Sequence, residues 1–468
     1  MKTFTINFTD FAKDTLLRTN FKTIFTGIKI QEKIDKKSIK FIRLKEEFYI
    51  LSGYAFKSED YVEYGIPLIR ISDVENTFNK KQMVFLPEEY KEKYKNYLLK
   101  KDDIIVSLTG DGKIKSDLVK EQNKFLLNQR VGVLRPKQDN LNIKFYYYLI
   151  NNLVLVKEQF YWYSNGKTQL NISPFDLLKI KIPQIPKQTQ DKIVSQIEPI
   201  ENEIKELKSQ IKDSQEIINK VFAREFGFDL EKFEESKKEK FFEVSFSDFA
   251  NNKDLRQSVK FHRKSAKFVY KELKNITNTK IKYYISEPIV LGKGISPKNY
   301  DENGEFYYIS MANIKNWRFE KSNCRLVSIY FSDKNKNKTV KKNDILIARS
   351  GEGTIGKVSL IEDDSIKGIF ADFIIRIRLL NYNPLFVYYY FRTEYFQYLI
   401  EINKKGLGNN TNIFPSQIQE FPIPNIPLPR QQEIVDEIKK ELDKQEEIKK
   451  QIEEKRDKID KIVEEVVK

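Results

Sequence analysis

The sequence predicts an α+β protein in which two similar domains stand in tandem, separated by long coiled-coil spacer helices, with a pseudo-twofold arrangement. Three observations predict it. First, the chain repeats itself. Asn171-Ile172-Ser173-Pro174 recurs as Asn412-Ile413-Phe414-Pro415, and Ile182-Pro183-Gln184-Ile185-Pro186 as Ile423-Pro424-Asn425-Ile426-Pro427, both 241 residues later. At the same offset, Lys101-Asp102-Asp103-Ile104-Ile105 pairs with Lys342-Asn343-Asp344-Ile345-Leu346 and Thr109-Gly110-Asp111-Gly112 with Ser350-Gly351-Glu352-Gly353. Phe8-Thr9-Asp10-Phe11-Ala12 pairs with Phe246-Ser247-Asp248-Phe249-Ala250 at 238. Solenoid repeats run about 20–50 residues, so a period this long marks two domains. Second, each half mixes short β-like runs with helical aromatic stretches. Third, each half ends in a heptad stripe.

The strands come first. Pro67-Leu68-Ile69-Arg70-Ile71, Asp103-Ile104-Ile105-Val106-Ser107 and Val131-Gly132-Val133-Leu134 are short, β-branched and bounded by turn residues, and they recur as Phe306-Tyr307-Tyr308-Ile309, Asp344-Ile345-Leu346-Ile347-Ala348 and Phe373-Ile374-Ile375-Arg376-Ile377. The helical runs Phe145-Tyr146-Tyr147-Tyr148-Leu149 and Phe386-Val387-Tyr388-Tyr389-Tyr390 follow at matching places and read as core. Proline-spaced strands, Ile180-Lys181-Ile182-Pro183 and Glu420-Phe421-Pro422-Ile423-Pro424, then stop each domain. Beyond Gln188, apolar residues at Ile193, Ile197, Ile200, Ile204, Leu207, Ile211, Ile218 and Val221 make a seam of alternating steps of four and three, broken at Ser214. Pro199 should kink that helix or delay its start. In the second half Ile434, Ile438, Ile448, Ile452, Ile459 and Ile462 keep the same register, with Glu441, Gln445 and Lys455 as polar interruptions. An exposed isoleucine seam would aggregate, and the natural partner of each helix is the other. The expected boundaries are a first domain over 1–185, a spacer helix over 186–226, a linker over 227–240, a second domain over 241–426 and a second spacer over 427–468.

Charge follows these boundaries. Of 83 basic and 67 acidic residues, giving +16, the two domains carry +10 each and the two connecting segments −2 each. An AT-rich genome would enrich lysine throughout and make every segment basic, yet the net charge of the spacers stays near neutral. A polyanion facing both domains accounts for the pattern better, and at a pI near 9.3 nucleic acid is the first candidate. Lysine and arginine neutralise phosphates, whereas arginine, asparagine and glutamine reach base edges. Candidates beside the turns are Lys57, Arg70, Lys113, Lys115 and Arg130 in the first domain, and Lys293, Lys298, Asn313, Arg349, Lys357 and Lys405 in the second. The run Lys334-Asn335-Lys336-Asn337-Lys338 reads as a mobile loop adding nonspecific attraction.

Several functions are excluded. Cys324 and His262 are each the single residue of their type, which rules out a disulfide framework, a zinc cluster and multi-histidine metal sites. The N-terminus lacks a signal peptide's apolar stretch and no run of about 18 apolar residues occurs, so a soluble, cytoplasmic chain without membrane contact is expected. Gly351-Glu352-Gly353-Thr354-Ile355-Gly356-Lys357-Val358 satisfies the phosphate-loop pattern G-x-G-x-x-G-x-V, but the segment that follows reads as a strand and no histidine follows His262, so a tight turn is expected there. The Asn/Asp-Pro-Pro-Tyr/Phe tetrad of amino-methyltransferases is missing, and Glu362-Asp363-Asp364 lacks the lysine a nuclease metal site wants. No catalytic residue, metal or cofactor is expected in this chain.

The ordered set of motifs carries a resemblance. Gly53-Tyr54-Ala55-Phe56-Lys57-Ser58 and Gly292-Lys293-Gly294-Ile295-Ser296-Pro297, then Ile69-Arg70-Ile71-Ser72-Asp73 or Ile309-Ser310-Met311-Ala312-Asn313, Asn128-Gln129-Arg130, and Gln169-Leu170-Asn171-Ile172 up to the Ile-Pro-x-x-Pro ending together resemble the specificity subunit of type I restriction-modification systems. The resemblance covers essentially the whole chain. It implies two target recognition domains joined by an antiparallel helix pair, each reading half of an interrupted double-stranded DNA sequence. It also implies two modification (methyltransferase) subunits docked on the spacer, bringing S-adenosylmethionine, and restriction motor subunits recruited in turn. Because Lys113-Ile114-Lys115 follows the first glycine loop where the second has Thr354-Ile355-Gly356-Lys357, the two loops should read different bases. The alternatives are a basic coiled-coil scaffold without sequence preference in DNA, and the specificity subunit of a related restriction system outside type I.

Overall fold

The computed structural model describes residues 21–74, 83–110, 115–122, 124–166, 169–250, 258–351, 353–406 and 410–468. The motif at 8–12 and Lys113 lie outside them. The chain divides into two compact units, the first formed by Met1–Gln210 with Ile448–Lys468 and the second by Ile211–Glu447.

In the first unit the strands β1 (Phe48–Ser52), β2 (Ile66–Ile69), β3 (Val84–Leu86), β4 (Ile104–Ser107), β5 (Ser116–Leu118), β6 (Leu126–Leu127) and β7 (Val131–Pro136) form two sheets. An antiparallel sheet runs in the order β1-β7-β4-β5, and a three-stranded one in the order β3-β2-β6. β4 is buried along its whole length, as its continuous Ile-Ile-Val run demands. The second unit repeats the plan. Strands β8 (Val290–Leu291), β9 (Phe306–Ile309), β10 (Arg325–Val327), β11 (Ile345–Ala348), β12 (Val358–Leu360), β13 (Gly368–Phe370) and β14 (Ile374–Ile377) build sheets β8-β14-β11-β12 and β10-β9-β13. The duplication in sequence is therefore a duplication in topology.

The repeated Lys-Asp/Asn-Asp-Ile motif has a physical basis. Asp102 and Asn343 hold left-handed φ of 68° and 70°, which short polar side chains tolerate. The next residue, Asp103 or Asp344, is fully buried. Its carboxylate accepts the backbone N–H of Lys100 or Lys341, both at 2.7 Å. It also binds one arginine through two hydrogen bonds: Arg135 at 2.8 and 2.6 Å, Arg378 at 2.6 and 2.7 Å. The aromatic runs form helices α1 (Ile143–Asn152) and, in the second unit, α6 (Pro384–Arg392), each capped by an asparagine, and they line the cores as expected.

Between the β-rich parts lie α2 (Val154–Tyr163), α3 (Lys187–Ser209), α4 (Ser214–Phe226) and α5 (Leu230–Lys238); α7 (Glu394–Asn403) and α8 (Leu428–Glu465) follow α6. Four expectations are corrected here. The segment 227–240 is no plain linker, because α5 drives Phe233 into the second unit's core. Pro199 does not delay the first spacer helix, which begins at Lys187 and continues through it. That helix instead breaks at 210–213, where Asp213 caps α4 by accepting the N–H groups of Gln215 and Glu216. Ile211 therefore drops out of the seam and is 39% exposed. Lastly, the lysine run at 334–338 is ordered: its end forms a 3-10 turn, Lys336–Lys338, and Asn335 donates to the Phe331 carbonyl at 2.8 Å.

Most of the remaining seam is buried, with Ile200 and Ile462 partly so. Ile193, Ile197 and Ile204 share the first unit's core with Ile448, Ile452 and Ile459, and Leu207 lies at its edge. Ile438 joins Ile218 and Val221 in the second. The helices pair in each unit, and in the second the pairs run antiparallel. Glu203 meets Lys455 in the first. In the second, the Lys212 N–H donates to Gln445 Oε1 at 2.8 Å, Arg224 meets Glu437 at 2.6 Å, and Arg430 Nε donates to Glu225 at 2.7 Å. Gln445, an interruption in the heptad, is buried so that it can satisfy the backbone left open by the helix break. No helix among the described residues is long and apolar enough to cross a membrane.

Candidate nucleic-acid interface

In each unit some of the loops that carry the basic candidates meet at the end of the central strand: those of Lys115 and Arg130 in the first, and those of Arg349, Lys357 and Lys405 in the second. Beyond β4, the Leu108 N–H donates to the Arg130 carbonyl at 3.0 Å and the Ser107 N–H to that of Lys115 at 2.8 Å. Thr109 pairs with Asn171, side chain to side chain at 2.6 Å, while Asn171 and Asn165 exchange two backbone bonds of 2.7 Å. Arg130 and Lys115 thus come together beside the 165–171 hairpin. Lys57 is exposed at the start of a 3-10 turn, further along the segment that leaves β1. Arg70 is engaged within the fold, its Nε 3.0 Å and Nη2 3.2 Å from the Asp73 carboxylate.

The second unit reproduces this end with different chemistry. Past β11, the Arg349 N–H donates to the Phe373 carbonyl at 3.0 Å, Ala348 to Lys357 at 2.9 Å, and Lys405 and Asn412 exchange bonds of 2.8 and 2.7 Å. Arg349, Lys357 and Lys405 are therefore neighbours. The Arg349 guanidinium donates to Asn412 Oδ1 at 3.2 Å and sits 5.3 Å from the Phe414 ring; its buried Nε has no partner, and among the described residues it meets no carboxylate. The first unit has Leu108 there. Lys293 and Lys298 stand exposed on the segment after β8. Asn313 corrects the expectation of a base reader: it is 2% exposed, and its amide oxygen accepts Ser310 N–H and Oγ, both at 2.9 Å. It closes a turn.

The glycine-rich segment is a turn as well. Gly351, Gly353 and Gly356 all hold φ near +80°, and β12 follows directly. Sequence reading missed the hairpins themselves. Gly166 and Gly406, at φ of 119° and 108°, would each drive a Cβ to within 2.1 and 2.3 Å of a facing carbonyl oxygen, and Asn165-Gly166 was the available signal. His262 is buried, and burial pushes the Cys324 thiol up to about 11, which keeps it an inert neutral group. Among the described residues no three His, Cys, Asp or Glu side chains are placed to hold a metal. What these loop ends offer is cationic and amide groups on a rigid scaffold, suited to a polyanion whose edges also carry hydrogen-bonding groups.

Residues 36–215 and 287–455 match the family model described as the type I restriction modification DNA specificity domain. With two matches that together cover most of its length, the chain belongs to that family. The MjaVIII type I restriction enzyme specificity subunit of Methanocaldococcus jannaschii is 32% identical over 168 residues, covering 34% of this chain and 39% of the relative. This chain thus spans about two fifths of that protein's length. The EcoBI specificity subunit of Escherichia coli is 23% identical over 405 residues, 84% of this chain and 76% of the relative. Among solved structures, an S subunit of a type I restriction-modification system from M. genitalium matches 93% of this chain and 97% of its own, at 15% identity and a TM-score of 0.43.

Proposed function

We propose that this chain is the DNA-reading subunit of a type I restriction-modification complex, with each unit recognising one half of a two-part duplex sequence. The observation that carries the reading is the double one: two units with the same strand order, each presenting basic loops at the end of its central strand. In this reading Lys57, Lys115 and Arg130 in the first unit, and Lys293, Lys298, Arg349, Lys357 and Lys405 in the second, hold phosphates or base edges. Arg349 and its counterpart Leu108 make the two readouts different. The chain itself performs no chemistry; two modification subunits docked on the paired helices bring S-adenosylmethionine, and restriction subunits join them.

Methylation-site mapping of the complex reconstituted with its modification subunits tests this. Replacing residues 241–426 with the same part of a relative should change one half of the methylated sequence and leave the other intact. Both halves changing would overturn the division of labour. DNA binding without any sequence preference would mark the chain as a basic scaffold instead.

A further inference from the structure

The two units place different chemistry at one and the same spot of the fold. Gly53 and Gly292 lie so close to a facing strand that a Cβ would come within 2.2 and 2.0 Å of a carbonyl oxygen. The next residue is Tyr54 in the first unit and Lys293 in the second. Its N–H donates at 2.9 Å to the last residue of the short parallel strand, Leu127 or Phe370. The spot's other side is a 3-10 turn. Tyr97 donates its N–H to the Tyr94 carbonyl at 2.9 Å, and Lys338 does the same to Asn335 at 2.8 Å. Leu98 then bridges to Leu126, as Thr339 does to Ile369. Tyr54 and Tyr97 are therefore the counterparts of Lys293 and Lys338. The tyrosine rings lie 5.4 Å apart, so the two positions are side-chain neighbours in this fold.

A third substitution lies beneath them. Val133 faces Ile105 across the first sheet, and in the same register Arg376 faces Leu346. Arg376 is 3% exposed. Its Nη1 donates to the carbonyls of Thr339 at 2.6 Å and Asn337 at 3.4 Å, on either side of Lys338, and its guanidinium lies 5.2 Å from the Phe370 ring, beside the Lys293 anchor. Glu287 balances it at 3.2 Å. Nothing comparable balances the lysines: among the described residues neither Lys293 nor Lys338 meets a carboxylate. Burial, then Arg376 and Lys293, lower the pKa of Lys338, with no acidic group acting the other way. The two lysines converge without an ion pair of their own, beside an arginine held by Glu287 and with the Asp372 carboxylate near Gly294, and the electrostatic cost of bringing them together is one that a bound anion reduces.

We infer that Lys293 and Lys338, with Arg376 fixing the turn that carries Lys338, form a phosphate-binding site in the second unit, where the first unit sets tyrosines at the two corresponding positions. On the reading of the chain as a DNA-recognition subunit, the ligand is a backbone phosphodiester of the second half-site. The first unit meets the equivalent place with the ring surface of Tyr54, Tyr94 and Tyr97, over which the ammonium of Lys93 stands 5.3 Å from the Tyr94 ring. The second half-site is thereby gripped in a fixed register by a contact that carries no sequence information of its own.

The test is the salt dependence of binding to the mapped target by the complex with its modification subunits. A single phosphate contact contributes about 0.9 to the slope of log affinity against log salt. The Lys293→Ala/Lys338→Ala variant should lower the slope by about that amount while the methylated sequence stays the same, and Lys338→Arg should keep the wild-type slope. Lys334→Ala/Lys336→Ala, on the same run but outside the cluster, should lower it by clearly less. An unaltered slope in the first double variant, or an equal fall in both, would overturn the site. Saturable binding of inorganic phosphate that the Lys293→Ala/Lys338→Ala variant abolishes, with its DNA slope intact, would assign the cluster to the free ion and overturn the DNA contact. A wild-type complex without any target sequence would instead refute the DNA-reading function itself.

Discussion

Ile452→Ala probes the pairing of the helices, and the structure fixes its size. Ile452 is buried in the first unit's core among Ile197, Ile204 and Ile448. Truncation there loses both the transfer energy of the side chain and the contacts around the cavity it leaves, about 2–5 kcal/mol in all. In a unit of roughly 200 residues, 1 kcal/mol shifts Tm by about 2–4 °C, so a fall of roughly 4–20 °C is expected. Ile211→Ala is the comparison that makes this specific. Ile211 continues the same heptad register but lies in the helix break, 39% exposed, and its truncation should cost no more than about 0.5 kcal/mol. Melting of the purified chain followed by circular dichroism, with guanidinium unfolding as a second measure, reads both. Equal losses from the two variants, or none from Ile452→Ala, would refute the seam as placed here.

Ile204→Asp buries an unpaired carboxylate in the same seam and should lower Tm further than Ile452→Ala, with weaker retention of the modification subunits in size-exclusion chromatography. Gln445→Leu strips the Lys212 N–H of its acceptor, at a cost of about 1–3 kcal/mol, and hydrogen exchange should show Lys212 losing protection while the flanking helices keep theirs. Asp103→Ala should cost about 3–5 kcal/mol in urea unfolding because it leaves Arg135 and the Lys100 N–H without their partner; Asp103→Leu with Arg135→Met should recover a large part. Lys455 and Arg224 hold the Glu203 and Glu437 carboxyls below their ordinary 4.5. Depressed carboxylates contribute stability that is present above that value and lost as pH falls through the lowered one, so Tm should hold from neutral pH to about 4.5 and decline below it; a decline that starts above pH 6 would contradict the assignment.

The sequence by itself determined the architecture. Two copies of one domain, the aromatic core helices and the basic loops were legible because each rests on local rules: periodicity, turn residues and side chains in contact with near neighbours along the chain. The repeat also marked the Lys-Asp/Asn-Asp-Ile motif, whose meaning, a left-handed turn closed by a buried carboxylate, needed its arginine from more than 30 positions away. The helix break was half legible. Asp213-Ser214 is an N-cap signal, yet Ile211 and Ile218 kept the heptad rhythm across it, and only the pairing of Gln445 with Lys212 showed which rule prevailed. Asn313 had the residue type of a base reader, but burial assigned its amide to a turn.

What only the tertiary structure decided is which charges act together. Lys293, Lys338 and Arg376 lie on three separate segments, and Arg376 stands inside a strand where composition alone would call for an apolar residue. Side-chain neighbours across sheets follow from strand register, a long-range property that no window of sequence contains. The same register shows that the first unit's counterparts are two tyrosines and a valine. Sequence periodicity made the two halves alike; the paired strands revealed where they had been made different.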